Sequence, residues 1–141
     1  MRLLFLAILV TCFSPINSMS AAPRSLRQDA CTHPPSMAIM TMCSHTKYTV
    51  ANNTLNKMYE QLMVTIEKTS TQIWDKEFTN DYKKALSNSE KAWARFRDTD
   101  CNFLTYERLG GSSRLMNIYD CRTTLTNSRI KELQEKLRSF Q

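Results

Sequence analysis

Glycine occurs only twice in this chain of 141 residues, and both copies stand together at Gly110-Gly111. Glycine alone enters the left-handed backbone region at little cost, so it is the cheapest place for a helix to end and the chain to reverse. Cysteines bracket that break. Cys101 lies nine residues before Gly110, and Cys121 lies ten after Gly111. With a helix on each flank, both sulfurs sit roughly 14 Å from the turn at about 1.5 Å of rise per residue. They then face each other across a helical hairpin.

The flanks carry helical patterning. Tyr48, Ala51, Leu55, Met58, Tyr59, Leu62 and Ile66 recur at spacings of three and four, which makes one apolar stripe. Lys68 to Gln72 is rich in Ser and Thr and loosens it. A second stripe runs Tyr82, Leu86, Ser89, Trp93, Phe96, Asp100 and Phe103, which places Trp93 and Phe96 in the core. After the glycines, where Ser112 or Ser113 can cap the next helix, a third runs Leu115, Ile118, Tyr119, Leu125, Ile130, Leu133, Leu137 and Phe140. No β-alternation of useful length, internal repeat or low-complexity segment appears. The expected fold is all-α, an antiparallel three-helix bundle. Asp100 and Arg129 fall on or beside the stripes of facing helices. They form an ion pair, or Arg129 hydrogen-bonds to the hairpin, since a buried charge needs a partner, or both sit at the solvated rim.

The first residues read as an export signal. Arg2 precedes an apolar run from Leu3 to Phe13, too short to span a bilayer. Ser18 and Ser20 then occupy the minus-three and minus-one positions of a cut after Ser20. The segment "LVTC" ending at Cys12 suggests lipidation only weakly, because Thr11 fits poorly before a lipidated cysteine. The expected division is a signal peptide over 1–20, an extended lead-in over 21–36 containing Pro23, Pro34 and Pro35, and a helical domain over 37–141. Cleavage removes one arginine and no acid, so the formal net charge falls from +6 to +5. That excess is dispersed, with no aromatic-rich basic groove, and speaks for solubility over nucleic-acid binding. A periplasmic or secreted protein without a membrane span is expected. Of five cysteines, four remain, and in an exported chain an even number implies two disulfides. Of the three connectivities, the hairpin selects Cys101 with Cys121, leaving Cys31 with Cys43 to tie the lead-in onto the first helix. Zinc is disfavoured, because no Cys-x-x-Cys pair exists.

The order of landmarks resembles the LprI-like lysozyme-inhibitor family. The front pattern is Cys31, Cys43 and "LNKMY" with Leu55, Asn56 and Tyr59. The rear pattern is Trp93, Arg97-Asp98, Cys101, Gly110-Gly111, Cys121, Thr126, Arg129 and Leu133. The set covers about residues 31–137. The resemblance implies an all-helical exported domain that binds and inhibits lysozyme, with no cofactor. Animal lysozymes are typically basic, as this domain is. Long-range steering would therefore oppose association, and a local acidic face would have to overcome it.

Several stretches invite a site. The tip "ERLGGSSR" offers Arg108, Ser112, Ser113 and Arg114 as donors for a cleft containing two carboxylates. The plain alternative is an ordinary interhelical turn. His33, Met37, Met40, Met42, Cys43 and His45 are soft ligands that can hold copper(I), against an alternative in which the methionines fill the core and Cys43 is disulfide-bonded. No nucleophile has a recognisable partner motif, and Asp98 and Asp100 lie on different helix faces, so an enzyme is not expected. Asn52-Asn53-Thr54 fits a glycosylation acceptor by chance. The readings are then a lysozyme inhibitor, a structural or stress-related envelope protein with another extracytoplasmic partner, and a soft-metal binder. Intact mass of the exported protein should correspond to a start at Ala21, and a lipid mass added at Cys12 would refute the soluble form.

Overall fold

The computed structural model describes residues 30–73, 75–106 and 111–140, of which 70–73 are described by backbone alone. The expected signal segment, Cys12, most of the lead-in, Arg108 and Gly110 lie outside the described residues. Three long helices follow one another: α1 (Met37–Ile73), α2 (Lys76–Leu104) and α3 (Arg114–Arg138).

The helix ends have local causes. Residues 30–32 are helical and 33–36 bend, so the last part of the lead-in is not uniformly extended. Proline lacks a backbone N–H and restricts the residue before it, which interrupts the helix at Pro34-Pro35. Ser36 then starts α1. Its hydroxyl accepts from Ile39 N–H at 3.3 Å and its carbonyl from Met40 N–H at 3.0 Å. Asp75 caps α2, with Oδ1 accepting from Phe78 N–H at 2.7 Å. Glu77 in the first turn adds a favourable charge at the positive helix end. Lys136 and Arg138 do the converse at the end of α3.

The α2 helix stops earlier than the glycine pair suggested. It ends at Leu104, and the Thr105 hydroxyl bonds back to the Cys101 carbonyl at 2.9 Å. Ser113 takes the capping position of α3, but its side chain makes no capping bond.

Consecutive helices are antiparallel, so α1 and α3 run parallel. These two make the most extensive contact in the bundle. Small buried side chains permit it: Ser44 and Ala51 on α1 and Thr126 on α3. Across from them α2 inserts larger groups, among them Trp93 and Arg97. The core is Leu55, Leu62 and Ile66 from α1, Leu86 from α2, and Ile130 and Leu133 from α3. Tyr59, Tyr82, Trp93, Leu137 and Phe140 pack against it. Each fully buried Leu or Ile contributes about 2–3 kcal/mol.

The first stripe was read correctly in all its members. The second needs correction. Phe96 and Phe103 are exposed, and the inward face of α2 runs through Thr79, Leu86, Arg97 and Cys101. Leu115 of the third stripe is exposed as well. Both disulfides are present as expected, with Cα atoms 5.7 Å apart in Cys31–Cys43 and in Cys101–Cys121. That separation lies inside the ordinary disulfide range.

Peptide mapping without reduction should recover both pairs. Replacing Cys101 and Cys121 together by Ser should lower unfolding free energy by about 3 kcal/mol in a urea titration. A loss of under about 1 kcal/mol would mean that the hairpin is held without the bond.

Candidate functional site

The most concentrated chemistry among the described residues lies in the interior, around Arg97. Its side chain is only 6 % exposed. The guanidinium lies between two rings, 5.2 Å from the centroid of Tyr48 and 5.1 Å from that of Trp93. Nε donates to Asp98 Oδ1 at 3.0 Å. The terminal nitrogen NH1 donates to Asn52 Oδ1 at 3.1 Å and, more weakly, to Thr126 Oγ1 at 3.4 Å. One side chain of α2 thus bonds to all three helices. Arg122 from α3 joins the same carboxylate, its Nε 3.2 Å from Asp98 Oδ1, and it also approaches the Tyr48 ring at 5.8 Å.

A second polar layer lies seven residues away on both α2 and α3. Arg129 Nε donates to Glu90 Oε1 at 2.9 Å and NH1 to Glu132 Oε2 at 2.7 Å, while NH2 reaches Ser89 Oγ at 3.1 Å. Burial works against the charge on Arg129. The hydrogen bonds to Glu90 and Glu132 outweigh it, and the net effect holds the arginine pKa above its ordinary value. A raised pKa stabilises the fold below the unfolded value and is lost only as pH rises past the folded one. That window lies above the arginine range, so this contribution is constant over working pH. Arg129 pairs with Glu90 and Glu132; Asp100 is not its partner. The register explains this. Cys101 meets Cys121, so Asp100 sits at the level of the disulfide, and Arg129 lies about 12 Å further along.

The residues of the front and rear patterns converge here. Asn52, Leu55, Asn56, Tyr59, Trp93 and Arg97 line one groove between α1 and α2. At about 290 Å³ it falls at the small end of ligand sites, which run from roughly 300 Å³ upward. Two of its polar groups are already engaged, Glu90 by Arg129 and Arg97 by its three acceptors. Thr126 is fully buried beside Arg97, and Leu133 belongs to the core. Asn52, read as a chance glycosylation acceptor, is a partner of Arg97. Tyr48 was read only as a member of the first apolar stripe, and Glu90 and Arg122 were not singled out from the sequence. The available signal was spacing: Glu90 and Arg97 on α2, like Arg122 and Arg129 on α3, are seven residues apart and fall on one face.

The hairpin tip is elsewhere. Gly111 and Ser112 are exposed. Ser113 accepts from Asn117 Nδ2 at 3.5 Å. Arg114 is half-buried, and its Nε is enclosed with no hydrogen-bond partner among the described residues. The soft-ligand stretch is divided. The Cys43 sulfur is in a disulfide, the His45 ring packs edge-on against Tyr119 at 4.8 Å, and Met42 is exposed.

The sequence matches the family described as Lysozyme inhibitor LprI over residues 28–133. The chain belongs to this family. It is also 27 % identical over 135 residues to an uncharacterized protein of Rhizobium meliloti (strain 1021), covering 95 % of this chain and 93 % of that one. No solved structure matches it. In this LprI domain the pattern residues build the frame: four cysteines close two loops, and Leu55, Tyr59, Trp93, Arg97, Thr126, Arg129 and Leu133 lock the helices together. Asn56, at the groove, and Gly111 are exposed, and Gly110 lies outside the described residues.

Arg97→Lys should cost about 2 kcal/mol of unfolding free energy, because an ammonium cannot lie flat between two rings while bonding three acceptors. Arg122→Lys, at a more exposed pair, should cost under about 1 kcal/mol. Urea unfolding of both variants tests the ranking, and equal losses would refute the central role of Arg97.

Proposed function

We propose that this protein is an exported inhibitor that binds lysozyme and blocks its turnover. The observation that carries the reading is the family match over residues 28–133, which takes in both disulfides and nearly all of the three helices. The distribution of chemistry supports binding over catalysis. All four cysteines of the domain are in disulfides, and the most buried charges are paired, Arg97 with Asp98 on its own helix and Glu90 with Arg129 across α2 and α3. Among the described residues no cluster of three His, Cys, Asp or Glu could hold a metal, and no helix is long and apolar enough to cross a membrane. Disulfides persist in oxidising compartments, which fits a periplasmic or secreted location. The tip residues Arg108, Ser112, Ser113 and Arg114 are proposed to lie against the target; of these, Ser112, Ser113 and Arg114 stand at the end of the bundle that the two disulfides stiffen.

The test is a turnover assay on cell-wall substrate. Oxidised protein titrated against c-type, g-type and i-type lysozymes should abolish activity of at least one class near stoichiometry, with or without a chelator. No effect on any class would remove the inhibitor reading and leave an envelope protein with another extracytoplasmic partner.

A further inference from the structure

The outward face of α2 carries an apolar ridge that the bundle does not use. Phe96, Thr99, Phe103 and Tyr106 follow one another at spacings of three, four and three. At 3.6 residues per turn they line up along one side of the helix and just past its end, over about 15 Å. That side is nearly half a turn from Arg97 and Cys101, which point into the bundle. Phe96 is 53 % exposed, Phe103 73 % and Tyr106 61 %. Thr99 spends its hydroxyl on the carbonyls of Arg95 and Phe96. Single exposed apolar residues need no explanation, but three large aromatics on one line of a helix mark a contact surface. Aromatic side chains supply much contact area per immobilised torsion and dominate binding hot spots.

We infer that this ridge is the surface that enters the substrate cleft of lysozyme. The inference rests on the inhibitor reading and assigns its contact face. The cleft of such an enzyme accommodates a sugar chain and holds two carboxylates, so it is elongated and locally negative even on a basic protein. The ridge is linear and carries no acid among its four members. Arg95 flanks it and forms no ion pair among the described residues. Asp100 lies half-buried at its inner edge. Aromatic ring edges are electropositive and add to the complementarity. Two basic proteins gain nothing from long-range steering, so affinity has to come from short-range contact of this kind.

The test compares competitive inhibition of a soluble chito-oligosaccharide substrate by wild type and three variants. Phe96→Ser with Phe103→Ser, and separately Arg95→Glu, should each weaken inhibition by about tenfold or more. Lys57→Ala with Gln61→Ala, both exposed on α1, should leave it near wild type. The ridge side chains are solvent-exposed, so the melting temperature should hold, and Arg95→Glu remains informative if the double variant melts early. Wild-type inhibition that both ridge variants retain would overturn the ridge assignment alone. Wild type that inhibits no lysozyme class would overturn the ridge assignment together with the inhibitor reading. A dimer of the wild-type chain, lost in the ridge variant while inhibition persists, would assign the ridge to self-association and overturn the inference.

Discussion

Taking the Arg97 guanidinium out of water costs several kcal/mol unless its donors and its charge are both answered. Here they are answered by groups that no single helix possesses. Asp98 comes from α2 itself, Asn52 and Tyr48 from α1, and Thr126 from α3. Sliding α1 by one turn along α2 would move the Asn52 carbonyl about 5 Å away and leave a buried donor unpaired. The network therefore discriminates between registers that a purely apolar interface would tolerate more evenly. The Cys101–Cys121 bond, one turn along α2, aligns α2 with α3 and leaves α1 as the element that the arginine must place.

The two ends of the bundle are held by different forces. Toward the hairpin, the core residues other than Ile118 are small or polar, and cohesion comes largely from two disulfides and the Arg97 layer. Cys43 lies nine residues before Asn52, so it stands about 14 Å nearer the tip than the Arg97 layer does. Toward the other end, Leu62, Ile66, Leu86 and Leu133 close an ordinary apolar core, completed by Phe140 and Leu137. The covalent end is thus the stiffer one. A rigid element loses less freedom when it binds, and preorganisation of this kind raises affinity without adding contacts. The ridge and the hairpin tip both lie toward that end.

Much of the architecture was legible from spacing. The first stripe was read without error because its members keep helical spacing on one side of α1, while the other apolar residues Val50 and Val64 stand exposed off it. The hairpin disulfide followed from two cysteines placed almost evenly about the glycines. The second stripe failed for a definite reason. Trp93 is compatible both with Phe96 and with Arg97, three and four residues on, and apolarity alone favours the phenylalanine. The chain instead buries the arginine, because partners on three helices compensate it, and leaves the phenylalanine outside. Those partners are distant in sequence, so a pattern confined to one helix could not reveal them. The Asp100–Arg129 pair failed differently. The disulfide register already placed the two residues about two turns apart, and applying it to the charges would have pointed down α2 towards Glu90.

That misassignment also shows how α2 divides its work. One face carries Leu86, Arg97 and Cys101 and ties the bundle together; the other carries Phe96, Phe103 and Tyr106, each more than half exposed. The two faces share a backbone but few contacts, so substitutions on them should act on separate quantities. Loss of an inward group raises the free energy of the whole fold, whatever the domain binds. Loss of a ridge aromatic removes exposed apolar area and leaves the packing intact. A binding surface on such a face can be altered extensively without approaching the stability threshold, provided the Arg97 layer and the disulfides stay in place. Members of one family can then share the frame residues while differing in the face presented to a partner.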